Sequence, residues 1–148
     1  MRVLLLITAL GLGVTYAHAT LETSEPAKDA VLNAAPSEVT LSFTEPVELR
    51  FSLFKVYPLA KEVDLGEDRA FLRLNGLAGA LAKEVLEVQD DARADTAVLS
   101  EEARTKTVTL SLKEGLEPGA YTVMWRVLSV DTHTTQGQFV FVIDPENE

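Results

Sequence analysis

Residues Tyr121–Ile143, YTVMWRVLSVDTHTTQGQFVFVI, read as two apolar strands joined by a short polar turn. Tyr121, Val123, Trp125 and Val127 fall on one face of the first strand. Phe139, Phe141 and Ile143 fall on one face of the second. Alternation with period two is the mark of a strand that buries one side. The turn carries Asp131-Thr132-His133, and the chain has only one other histidine, His18.

The same pattern recurs on the N-terminal side. Glu38–Thr44 places Val39, Leu41 and Phe43 on one face and Thr40, Ser42 and Thr44 on the other. Glu45-Pro46 is expected to end that strand, because a proline restricts the residue before it. Leu49–Tyr57 reads as a further strand with mixed faces, closed by Pro58. Thr107–Leu112 alternates again through Val108, Leu110 and Leu112, and Glu114-Gly115 and Pro118-Gly119 are turns. The stretch from Leu59 to Lys106 is less regular. Ala70–Leu74 reads as a short strand ending at Asn75-Gly76, Leu77–Val88 as a loose helical pattern, and Gln89–Arg104 as a mobile acidic loop or short helix. Short alternating strands with turn signals about every ten residues predict an all-β chain, a sandwich or barrel of antiparallel strands. Residues 66–106 are expected to form an irregular central insertion.

Composition narrows the function. The chain of 148 residues has 13 Lys+Arg against 23 Asp+Glu, a net charge of −10. Such a surface repels phosphate backbones, which argues against nucleic-acid binding. There is no cysteine, which excludes disulfides, thiolate zinc sites, iron–sulfur clusters and Cys-ligated copper centres. No glycine-rich phosphate loop or internal repeat is present.

At the N-terminus, Arg2 precedes the apolar run Val3–Val14, VLLLITALGLGV. Length and flank match a secretory signal and are short for a membrane span. Residues 1–17 are therefore expected to be a signal peptide, and residues 18–148 one extracytoplasmic domain. Two cleavage points fit the small-residue rule. Ala17-His18-Ala19 would be cut after Ala19, losing His18; Thr15-Tyr16-Ala17 would be cut after Ala17, making His18 the first mature residue.

Asp131 and His133 stand at i and i+2, so an extended backbone would project both side chains the same way. Alone, such a pair is a common surface motif. If His18 begins the mature chain, its α-amine and imidazole close a chelate ring on one metal ion. With Asp131 and His133 the set becomes three nitrogens and one oxygen, a combination that suits Cu(II). Glu45, at the end of its strand, is a candidate to orient a ligand. Met124, the one methionine besides Met1, reads as packing, and no methionine cluster for Cu(I) exists. Ser129, Asp131 and His133 supply the residue types of a hydrolase triad, but lie too close along the chain for its serial geometry. No G-x-S-x-G elbow is present.

Several blocks together resemble the CopC family of periplasmic copper-binding proteins. They are His18-Ala19-Thr20-Leu21, Ser24-Glu25-Pro26-Ala27, Ala35-Pro36 and Val39-Thr40-Leu41-Ser42-Phe43-Thr44-Glu45-Pro46-Val47. Towards the C-terminus they are Gly119-Ala120-Tyr121-Thr122-Val123, Trp125-Arg126-Val127, Ser129-Val130-Asp131-Thr132-His133, Gly137, Phe139 and Phe141. The resemblance implies an immunoglobulin-like Greek-key β-sandwich or barrel, cleavage before His18, and a Cu(II) site of the His18 amine and imidazole, Asp131 and His133, with Glu45 nearby. It implies a monomeric, non-enzymatic protein that stores, buffers or transfers copper in copper resistance or homeostasis, with a CopD-type membrane protein as partner. Two other functions fit parts of the pattern: an immunoglobulin-like interaction module without metal, and a copper-dependent oxidative enzyme. The family commonly has Asp-Gly-His where this chain has Asp131-Thr132-His133, so Thr132 fits only if the turn does not need a positive φ there.

Overall fold

The computed structural model describes residues 18–147, so the expected signal segment 1–17 lies outside the described residues. Eight strands and one α-helix follow in order: β1 Leu21–Glu25, β2 Val31–Leu32, β3 Glu38–Glu48, β4 Leu53–Ala60, α1 Ala70–Val85, β5 Asp95–Val98, β6 Arg104–Leu112, β7 Gly119–Leu128 and β8 Thr134–Ile143. They form two four-stranded sheets, ordered β1-β3-β6-β5 and β2-β8-β7-β4. This is the expected β-sandwich. All pairings are antiparallel except the short β2, which runs parallel to β8.

The alternating residues meet between the sheets. Val39, Leu41 and Phe43 of β3, Val108, Leu110 and Leu112 of β6, the odd-numbered residues 121–127 of β7 and Phe139, Phe141 and Ile143 of β8 share one core. Phe43 meets the Trp125 ring edge-on at 6.2 Å. Phe43, Phe139 and Phe141 are essentially inaccessible, and each burial contributes about 1.5–3 kcal/mol.

The region expected to be least regular differs most. Residues 70–85 form one helix rather than a strand, a turn and a later helix. Asn75-Gly76 does not break it. The Asn75 amide donates to Phe71 O at 2.8 Å and to Asp29 Oδ1 at 2.7 Å, anchoring the helix side to the β1–β2 loop. Leu74 and Ala78 pack on Ala120, Val140 and Val142, while Leu81, Ala82 and Val85 lie against the cluster of Tyr57, Leu86 and Met124. Tertiary burial of that stripe outweighs the helix penalty of glycine, about 1 kcal/mol. The helix covers the outer face of the β2-β8-β7-β4 sheet, so β7 and β8 are buried on both sides, and Met124 is a packing residue as expected. The stretch 89–104 holds strand β5, paired with β6, in place of a mobile loop. Among the described residues no helix is long and apolar enough to cross a membrane.

Neither proline stops its strand. β3 continues through Pro46 because its ladder with β6 is interrupted between Ser42 and Val47, so the missing N–H breaks no regular pair. Pro58 sits in β4, at the sheet edge. The Leu49–Phe51 part of the expected second strand is a 3₁₀ turn.

Candidate metal centre

β7 and β8 pair down to Leu128↔Thr134, which leaves residues 129–133 as the turn. The turn is tightly bonded. Ser129 N–H donates to His133 O at 2.9 Å, Thr132 N–H to Ser129 O at 3.0 Å, and Ser129 Oγ to His133 O at 2.9 Å. Asp131 Oδ1 accepts from the Ser129 hydroxyl and from His133 N–H at 3.1 Å. Asp131 and His133 therefore meet through a folded turn rather than through extended alternation. Ser129 is buried, and its hydroxyl lies between the Asp131 carboxylate and His133 O as part of the turn.

The turn places Thr132 at φ +71°. A β-branched residue there is strained by about 1–3 kcal/mol, so the position does ask for the glycine that the resemblance implies. Replacing Thr132 with Gly is expected to stabilise the metal-free protein by about 1 kcal/mol after the entropic cost of glycine. Thermal unfolding followed by circular dichroism measures this, and an unchanged or lower midpoint would show that the turn carries no such strain.

His18 reaches the same place from the other end of the described chain. Its Nδ1 stands 3.8 Å from Asp131 Oδ2, and His133 Nδ1 stands 3.1 Å from the same oxygen. The two imidazole rings meet edge-on at 4.5 Å. Both histidines are about half exposed, while Asp131 is one-fifth exposed. The approach of His18 is set by its neighbours. Ala19 is wholly buried in the core between the sheets. Thr44 of β3 holds the adjoining backbone: its N–H donates to Thr20 O at 2.9 Å, its Oγ1 accepts from Thr20 N–H at 3.1 Å and donates to His18 O at 3.4 Å. Glu45, the candidate orienting residue, is half-buried at its place in β3. The residue beside it in sequence does the anchoring. Ala19 and Thr44 carried no functional signal in the sequence, because an alanine and a strand threonine are ordinary there.

The chemistry of the cluster suits a cation. The Ser129 hydroxyl holds Asp131 below the ordinary carboxylate range; burial pushes the other way, and the His133 backbone N–H and imidazole add to the lowering. Asp131 Oδ2 is buried without an aligned hydrogen-bond donor, although His133 Nδ1 is close. An ionised oxygen in that state, facing two imidazoles, is matched to a metal ion. One ligand atom from each of His18, Asp131 and His133 lies within 4.8 Å of the others. Two atoms bonded to one metal at about 2.0–2.1 Å are at most roughly 4.2 Å apart. That is the separation across the ion; adjacent ligands stand about 3 Å apart, so the three need to close by up to about 1 Å.

Fold and cluster define a class: a two-sheet β-sandwich that gathers two imidazoles and a carboxylate, a group that could hold a metal ion, where the residues before β1 meet the β7–β8 turn. The chain matches the CopC domain over residues 21–76 and 72–144, and it belongs to the CopC family. It is 31% identical over 139 residues to Protein YobA of Escherichia coli K12, covering 94% of this chain and 89% of that one. It is 28% identical to Copper resistance protein C of Escherichia coli, over 94% of each chain. The crystal structure of CopC from Methylosinus trichosporium OB3b superposes with a TM-score of 0.58 at 22% identity, covering 88% of this chain and 98% of that one. Asp131 and His133 lie inside the matched range, and His18 lies just before it.

Proposed function

We propose that the protein is a non-enzymatic, monomeric carrier of Cu(II) outside the cytoplasm, in the periplasm or an equivalent space. Removal of residues 1–17 would leave residues 18–148 as a single CopC-like domain with a free amine on His18. That amine, the His18 imidazole, Asp131 Oδ2 and the His133 imidazole would hold the ion. The observation that carries this reading is the convergence of the chain's only two histidines on one ionised, poorly solvated carboxylate oxygen. The imidazole nitrogen facing Asp131 is Nδ1 in His18, the one that closes a six-membered chelate ring with the α-amine. The name of its relative Copper resistance protein C points the same way, towards copper buffering or transfer. Met124, the sole methionine after residue 1, is buried under α1, so Cu(II) rather than a methionine-bound Cu(I) is the cargo. A membrane copper protein of the CopD type is the proposed recipient.

The test is the intact mass of the secreted protein, with and without Cu(II), followed by titration from pH 8 to pH 5. A mass beginning at His18 and one copper per chain are expected; a chain beginning at Thr20 would overturn the proposal. Copper affinity is expected to fall with pH, because protons compete for an amine and two imidazoles. Asp131, with its pKa lowered, stays ionised across that window and adds little to the slope. A flat profile would rule out ligation by the amine.

A further inference from the structure

We propose that Thr135 is a positioning residue for the metal ligand His18, an inference that rests on His18 being a ligand at all. Thr135 lies in β8, two residues past His133, and pairs across the hairpin with the core residue Val127. It is half-buried on the inward face, where the neighbouring inward positions are Trp125, Val127 and Phe139. A valine would suit that packing. The threonine hydroxyl instead donates to Ala19 O at 2.6 Å. That bond ties the backbone immediately after His18 to the strand immediately after His133.

The need for such a tie follows from the ligand set. The His18 amine and imidazole are two of the four proposed donors, yet His18 precedes the first strand and is half exposed. An untethered N-terminal residue would have to be ordered at the moment of binding, at the cost of its backbone and side-chain freedom. Here three successive carbonyls are held. His18 O and Thr20 O are bonded by Thr44 from one sheet, and Ala19 O by Thr135 from the other. The Ala19 methyl is buried between the sheets. Of these contacts, the Thr135 bond is the one made from the strand that begins immediately after His133, so it sets the spacing between the two histidines.

The experiment is a copper-competition titration of the mature protein with Thr135→Val and Thr135→Ser, each made with His18 present and with His18→Gln. Thr135→Val keeps the shape and removes the hydroxyl; Thr135→Ser keeps the hydroxyl. With His18 present, Thr135→Val is expected to weaken Cu(II) binding about tenfold, the equivalent of one well-placed hydrogen bond, and to change the Cu(II) electron paramagnetic resonance spectrum. Thr135→Ser is expected to restore affinity to within about twofold. In the His18→Gln background, which keeps the amine of residue 18 and loses its imidazole, Thr135→Val should weaken binding clearly less than with His18 present, about threefold or less. Equal weakening in both backgrounds would make Thr135 a general stabiliser of the sandwich and overturn the proposal. So would unchanged affinity for Thr135→Val while His18→Gln binds poorly, with the copper site itself left standing. Full affinity in His18→Gln would overturn the copper site along with it.

Discussion

Replacing His133 with Ala in the mature protein is expected to weaken Cu(II) binding by about two to three orders of magnitude. Structural zinc sites of four protein ligands have apparent binding free energies of about 10–16 kcal/mol, and on that scale one ligand of four accounts for roughly 3–4 kcal/mol. The loss should appear in affinity and not in folding. The hydrogen bonds that close the turn use the backbone N–H and carbonyl of residue 133, and alanine supplies both. The imidazole is half exposed, so its removal leaves no core cavity. A competition titration beside a thermal melt separates the two effects. Affinity equal to that of the parent protein would remove His133 from the site.

The second large effect is on stability. Asp95→Ala is expected to cost about 3–4 kcal/mol. Asp95 is 1% exposed, Oδ1 accepts from Val56 N–H at 2.7 Å, and Oδ2 pairs with the Arg93 guanidinium. Arg93 also donates to Phe54 O at 2.9 Å, and Ala94 N–H to Val56 O at 2.6 Å. This knot joins the edge strand β4 of one sheet to β5 of the other. Alanine would strand a buried N–H and leave Arg93 without its counter-charge. For a domain whose whole stability is about 5–15 kcal/mol, the thermal midpoint should fall by roughly 10 °C. Copper affinity of the molecules that remain folded should not change, because Asp95 is not part of the ligand cluster. A cost below about 1 kcal/mol would show that water satisfies both groups in the variant.

How much of this was legible in the sequence depends on the range of the interaction concerned. β7 and β8 were readable because each strand writes its own alternation into neighbouring residues. Their second buried face was not read from that alternation, which was taken to mark one buried side. Thr122, Met124, Val140 and Val142 lie between the core positions and are not charged, which is how a strand covered on both sides reads. Of the helix that covers them, residues 77–85 were read as helical, but residues 70–76 were missed because Asn75-Gly76 looks like a turn in isolation. Its amide finds Asp29, and its apolar stripe finds the sheet, only after the chain has folded. Pro46 and Pro58 misled for a related reason: whether a missing N–H matters depends on the ladder beside it.

The sequence by itself determined the sandwich, the hairpin and the identity of the candidate ligands, since the chain has two histidines and one of them stands beside an aspartate in a strand-ending turn. Only the tertiary structure decided that His18 and His133 face the same oxygen, that Thr132 must take a positive φ, and that Ala19, Thr44 and Thr135 hold the arm in place. Side-chain periodicity is a local property, set by backbone geometry over a few residues. The meeting of residue 18 with residues 131–133 is set by how two sheets pack and where their core admits a single methyl group, and no short stretch of sequence records that.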